Sequence, residues 1–328
     1  MEYESDTGSE DGDYTALHEA AYMDNARLVR DLLEKGHNPE ERTWRGERAP
    51  IHSAVYNNSY SAVKELVRFN PDQVHLINRK GWTPLHGAVW KGLEDIAKLL
   101  IDYGADVNCE TLKGFTALHH SAIKNHHSIT QMLLDNDANT DIRTCSLDWA
   151  PIHSAANVGS LAVVKVLLDS EPKLVDSQTQ SGWRPLHIAA RKGNNGTVKV
   201  LLDGGADVNA RTSMGYTALH QAALKNKRIA AGILIRNGGD VEAGTGKNHW
   251  TALHLAAREG CIEAVKLLLE SKANVNALSK IRWTPLHCAA DAGFMSVCKL
   301  LIDAGADQDS EDITGRTPYC YLKPGQER

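Results

Sequence analysis

The 328-residue sequence has no apolar run approaching the roughly 20 residues that a bilayer-crossing helix needs, and its start lacks the basic and apolar regions of a secretory signal. A soluble intracellular protein, cytoplasmic or nuclear and without direct membrane insertion, is therefore expected. Its six cysteines, at 109, 145, 261, 288, 298 and 320, include no C-x-x-C pair and no disulfide-like framework. That fits a reducing compartment. Nor is there a basic excess to hold nucleic acid. Of the 41 acidic residues, Glu2, Glu4, Asp6, Glu10, Asp11 and Asp13 lie in the first 13 positions without one Lys or Arg, leaving 35 acidic against 36 basic residues. Nonspecific nucleic-acid binding has no electrostatic basis in such a chain. Residues 1–13 read as an acidic disordered tail with a solubilising role, and 323–328 as a short second tail. Aromatic residues make up only 6% of the sequence, so a register that collects them has a physical cause.

What the sequence has in abundance is repetition. The tetrapeptide T-P-L-H, or a near relative, begins at Thr15, Ala49, Thr83, Thr116, Ala150, Arg184, Thr217, Thr251, Thr284 and Thr317, at spacings of 33 or 34 residues. Such a period marks a stacked-repeat solenoid. A unit of this length is too small to support its own core, so each must gain stability from its neighbours. A higher order is also present: Thr15, Thr116 and Thr217 are 101 residues apart, as are Ala49, Ala150 and Thr251. Units thus come in threes, with the last, partial one as a cap.

Within a unit, Thr83 can cap a helix whose first turn holds Pro84, where a missing N–H costs nothing. Gly92 stops that helix. The equivalent stops are Asp24, Asn58, Asn125, Gly159, Gly193, Asn226, Gly260 and Gly293, all residue types that tolerate the left-handed conformation. A second helix follows, with Ile96, Leu99 and Leu100, and later Val265, Leu268 and Leu269, at helical spacing. Turn-rich segments such as Gly104-Ala105-Asp106-Val107-Asn108 then connect to the next unit.

This pattern resembles the ankyrin-repeat family over roughly residues 14–322. The resemblance implies an all-α repeat solenoid of stacked helix-turn-helix units with projecting β-hairpin loops, nine full units and a C-terminal cap. Departures are local: Ala at 49 and 150 and Arg at 184 in place of Thr, and Pro71 and Pro172 in lengthened connectors.

Nine of the 15 histidines occupy the fourth position of the tetrapeptide. In ankyrin-like proteins that imidazole bonds backbone between units, and a ninefold periodic residue is structural before it is reactive. The cluster at His119, His120, His126 and His127 lacks further visible ligands, so no metal is expected. Gly244-Thr245-Gly246-Lys247 lacks the spacing of a phosphate loop and reads as turn composition. No nucleophile, base and orienting group can be assembled outside the repeating positions. The expectation is a nonenzyme without cofactor.

Function must then lie on a surface. Before the tetrapeptides stand Tyr14, Arg48, Trp82, Phe115, Trp149, Trp183, Tyr216, Trp250, Trp283 and Arg316, eight of ten aromatic. Near the ends of the first helices stand Tyr22, Tyr56, Trp90 and Ile123, then Asn157, Arg191, Leu224, Arg258 and Asp291. In the concave face that the resemblance implies, Tyr22, Tyr56, Trp82, Trp90, Phe115 and Ile123 would form a continuous apolar strip able to bind a peptide or a partner helix. Asn108, Asn209 and Asn276 resemble the asparagines hydroxylated in ankyrin repeats, although turn capping alone also explains them. The function expected is noncatalytic protein recognition by a monomer, as adaptor, scaffold or inhibitor. A substrate receptor of a ubiquitin ligase is the runner-up, and the residues after Tyr321 leave no room for the ligase-recruiting module it would need.

Overall fold

At the start of five of the ten units the same short circuit of hydrogen bonds appears. In the computed structural model, which describes residues 14–322, the Thr83 Oγ accepts from the His86 N–H at 3.4 Å, and the His86 Nδ1 accepts from the Thr83 N–H at 3.1 Å. Thr15, Thr116, Thr217 and Thr284 repeat this arrangement. Two orphan donors of the helix end are satisfied reciprocally, with histidine in the place usually held by a glutamate. The tails expected at 1–13 and 323–328 lie outside the described residues.

The chain divides into two compact bodies at Ala155 and Ala156. The first contains α1 (Ala16–Tyr22), α2 (Ala26–Glu34), α3 (Pro50–Tyr56), α4 (Tyr60–Phe69), α5 (Pro84–Lys91), α6 (Glu94–Asp102), α7 (Ala117–Lys124) and α8 (His127–Asp135). Here α1, α3, α5 and α7 stack in one layer, with α2, α4, α6 and α8 in a second layer behind. Helix α9 (Pro151–Val158) runs through the boundary. The second body holds α10 (Leu161–Ser170), α11 (Pro185–Lys192), α12 (Asn195–Asp203), α13 (Ala218–Leu224), α14 (Arg228–Arg236), α15 (Ala252–Arg258), α16 (Ile262–Glu270), α17 (Pro285–Ala292) and α18 (Met295–Asp303). Its layers are α11, α13, α15 and α17 against α10, α12, α14, α16 and α18.

Between the layers lies the core. The third tetrapeptide residue supplies Leu17, Ile51, Leu85 and Leu118 in the first body, all buried to 1% exposure or less, and each is worth about 1.5–3 kcal/mol over an exposed position. The second helices face them with Val29, Val63, Ile96 and Ile129. Both layers contribute because neither helix of a pair has enough apolar surface alone.

All nine stop residues of the first helices have positive φ, from 52° at Asp24 and Asn226 to 85° at Gly159. That explains their restriction to Gly, Asn and Asp. At Gly92 a second reason adds to the first: a Cβ there would stand 2.7 Å from the His126 ring. The connectors containing Pro71 and Pro172 are longer because each winds into a 3-10 turn, Pro71–His75 and Pro172–Asp176.

The connecting loops differ from the expected β-hairpins. No strand forms among the described residues. Within each body a loop doubles back through a turn, as where Thr111 N–H bonds Phe115 O at 2.9 Å and Gly114 N–H bonds Thr111 O at 2.9 Å, and neighbouring loops meet through bonds such as Leu112 N–H to Lys80 O at 3.2 Å. Isolated backbone bonds of this kind do not make a ladder.

Candidate protein-recognition site

The histidines that looked reactive are committed to this scaffold. Their second nitrogen reaches into the next unit: His18 Nε2 lies 2.9 Å from Arg48 O, His86 3.2 Å from Phe115 O, His220 3.0 Å from Trp250 O and His254 2.9 Å from Trp283 O. Because Nδ1 accepts from a backbone N–H, Nε2 must carry the proton and donate to the carbonyl. The ring is thereby fixed as the neutral tautomer. Burial lowers His86, His119, His187, His220 and His254 from the ordinary 6.5 to about 4, against the opposing pull of those carbonyls.

A second periodic feature escaped the sequence reading. Ahead of the tetrapeptides from Ala49 to Thr284 a buried acceptor takes the N–H of the ladder residue. The Thr43, Asn78, Thr111 and Thr144 side chains serve Arg48, Trp82, Phe115 and Trp149 at 3.0–3.1 Å, and Thr179, Thr212, Thr245 and Ser279 serve Trp183, Tyr216, Trp250 and Trp283 likewise. The varied acceptor type and the shift between four and five residues obscure this register in the sequence. Thr245 belongs to the Gly244-Thr245-Gly246-Lys247 segment, which is such a loop.

Of the six strip residues, Tyr22 is exposed, Tyr56, Trp90, Phe115 and Ile123 are half-buried, and Trp82 is buried with 2% exposure. The Trp82 ring is thus part of the packing, since it lies edge-on to Trp90 at 5.5 Å and 4.5 Å from the His120 ring. Tyr56, Trp82 and Trp90 come together around one cavity of about 290 Å³, which His52, Val55, Asn78, Thr83, Pro84, Gly87, Lys91 and Lys124 complete. Tyr22, Phe115 and Ile123 do not line it. Phe115 instead rests on His119 and stacks on His120 at 5.9 Å.

Three contributors to this cavity carried no signal in the two ladders. Gly87 is the only glycine at the fifth position of a unit, where Glu19, Ser53, His120 and Ser154 stand in the rest of the first body. Lys91 and Lys124 follow Trp90 and Ile123 directly. The Lys91 ammonium sits 3.6 Å from the Tyr56 ring centroid and donates to the Tyr56 carbonyl, while that of Lys124 sits 4.0 Å over Trp90. His120 closes the packing behind Trp82. It is buried, its Nδ1 has no hydrogen-bond partner, and burial holds it well below the usual histidine range.

The three candidate asparagines share one geometry. Asn108, Asn209 and Asn276 donate from Nδ2 to Asp137 O, Gly238 O and Gly305 O, at 3.1, 3.0 and 3.3 Å. Their Oδ1 atoms accept from the N–H groups of Asn139, Asp240 and Asp307. Each amide clamps the next loop at both ends, a structural reason for asparagine at all three positions. The oxidation that the resemblance implies would act on a side chain so held.

A family model of ankyrin repeats in three copies matches residues 17–111, 104–176, 170–245, 186–279 and 231–312. The chain belongs to the ankyrin-repeat family. No curated protein matches it in a search of whole sequences. Ankyrin repeats are generally protein–protein interaction modules and typically noncatalytic. In this ankyrin-repeat chain no helix among the described residues is long and apolar enough to cross a membrane.

Proposed function

We propose that this ankyrin-repeat chain is a noncatalytic recognition module, an adaptor, scaffold or inhibitor, that takes a partner's side chain into the cavity walled by Tyr56, Trp82 and Trp90. The observation that carries this reading is the concentration of three rings, half-buried Tyr56 and Trp90 and buried Trp82, around an open cavity in a chain with 6% aromatics. Rings held this way offer large contact area at little cost in conformational entropy. Tyr22 and Ile123 flank the cavity in sequence register and extend the surface available to the same partner.

Affinity purification with the full chain, compared with a Tyr56→Ala/Trp90→Ala double variant, tests this. Partners retained by the wild type and lost from the variant, with unchanged circular dichroism, are expected. Equal recovery by both overturns the assignment.

A further inference from the structure

Resting on that reading, the chemistry of the cavity narrows its occupant. We infer that the site formed by Tyr56, Trp82, Trp90, Lys91 and Lys124 selects an acidic peptide segment of the partner, in which a large apolar or aromatic side chain is flanked by Asp or Glu.

The walls are mixed. Tyr56, Trp82 and Trp90, the last two edge-on at 65°, form an apolar part with Val55 and Pro84, beside the polar His52, Asn78 and Thr83, so the cavity suits one bulky side chain with an apolar body rather than a whole helix face. Gly87 keeps it open. A Cβ at that position would already stand 3.3 Å from Val55 Cγ1, and the larger residues at the equivalent place in neighbouring units would project further into the space.

Aromatic walls alone would also suit a cation, such as a lysine ammonium or its methylated forms. Here that alternative is disfavoured, because the chain's own cations already stand over the rings. Lys91 covers Tyr56, Lys124 covers Trp90, and the Arg48 guanidinium lies 5.9 Å from the Tyr56 centroid. A cationic guest would have to displace these groups and face like charge. Among the residues lining the cavity there is no Asp or Glu to receive one. Neither Lys91 nor Lys124 is within ion-pairing distance of a carboxylate among the described residues. Both ammonium groups therefore keep hydrogen-bond donors for an incoming anion, at the mouth of a hole that wants an apolar group.

The test uses three fluorescein-labelled synthetic peptides of equal length, with a central Trp flanked by Glu, by Gln or by Lys, and reads anisotropy against the full chain. The Glu peptide is expected to bind about tenfold more tightly than the Gln peptide, with the Lys peptide weaker still and the preference shrinking as salt is raised. Lys91→Glu/Lys124→Glu, at two exposed positions, should reverse the order while circular dichroism stays unchanged. Gly87→Leu should block all three peptides, and Gly87→Ala provides a milder filling if the leucine variant fails to fold. A preference for Glu that survives the double charge reversal, no preference at all, or tightest binding of the Lys peptide overturns the inference. If the Glu peptide binds only after residues 1–13 are removed, the occupant is the chain's own Glu2-Tyr3-Glu4 segment, and the assignment to a partner is overturned. Loss of peptide selectivity together with retained, Tyr56/Trp90-dependent partner capture would sink the acidic specificity alone and leave the recognition reading standing.

Discussion

Trp82 in the first body and Trp250 in the second stand at the same place in their units, and their rings meet different fates. Trp82 is a wall of an open cavity, faced by Trp90. In the second body the Arg258 guanidinium lies 4.9 Å over Trp250, Arg191 lies 5.4 Å over Trp183, and Tyr321 packs edge-on against Trp283 at 5.0 Å. The scaffold beneath is common to both bodies, from the histidine circuit to the threonine acceptors. One side chain per unit, eight residues after the ladder aromatic, changes what the ring meets: Trp90 beside Trp82, Arg191 over Trp183 and Arg258 over Trp250. Binding character can thus vary along a repeat protein without disturbing the bonds that hold it together.

The largest expected effect should erase the distinction between the bodies. Five circuit histidines are held near 4 when folded against an ordinary 6.5, two of them in the first body and three in the second. Above pH 6.5 neither folded nor unfolded chain binds these protons, so stability is complete. Below it the unfolded chain takes protons that the native circuit refuses, and each such histidine removes about 1.4 kcal/mol per pH unit until the native ring also protonates near pH 4. Hydrogen exchange followed by mass spectrometry between pH 7 and 4, corrected for the intrinsic exchange rate, should show protection falling in both bodies. Loss confined to one body would show that the circuits are not equivalent.

Next in size is the removal of the shared rings. Trp82→Ala and Trp250→Ala should each destabilise by about 3–5 kcal/mol in chemical denaturation, because both indoles are buried. A cost below about 1 kcal/mol at Trp82 alone would mean that this ring is presented to a partner and does little for the core.

The third effect is functional and leaves stability nearly untouched. Trp90→Arg imposes the pattern of the second body on the first, and should abolish partner capture while shifting stability by about 1 kcal/mol or less. Arg258→Trp makes the reverse exchange at Trp250. Gain of acidic-peptide binding there is not expected, because Leu255 and Glu259 replace the Gly87 and Lys91 of the cavity.

Much of the fold was legible because a repeat states each local rule many times. The nine Gly, Asn or Asp stops marked nine left-handed residues, and the nine histidines marked a structural role that one copy could not have revealed. The projecting loops that the resemblance implied are present but form no strand among the described residues, since isolated turn and junction bonds do not make a ladder. The candidate cavity was only partly legible. Spacing placed Tyr56, Trp82 and Trp90 in register, but exposure depends on what packs behind a ring, and the residue behind Trp82 is His120 from the next unit. Gly87 was invisible for the opposite reason: its contribution is the absence of a side chain beside Val55.

The smallest effect concerns the units that lack the capping hydroxyl. In the first body Ala49 offers its backbone N–H to His52 Nδ1, at 3.2 Å, and gives α3 no side-chain cap. Ala49→Thr should restore the circuit and stabilise by about 0.5–1 kcal/mol. In the second body Arg184 holds the same position and likewise gives no side-chain cap to α11. Its guanidinium, however, lies 3.1 Å from Asp176, with the arginine side chain only 18% exposed. Arg184→Thr would gain the cap and lose that partly buried pair, so the two changes should offset to within about 0.5 kcal/mol. Thermal midpoints of the two variants measured side by side decide the matter. A gain of equal size at both positions would show that the Arg184 pair adds nothing, and that the departure from threonine at 184 has no compensation in the fold.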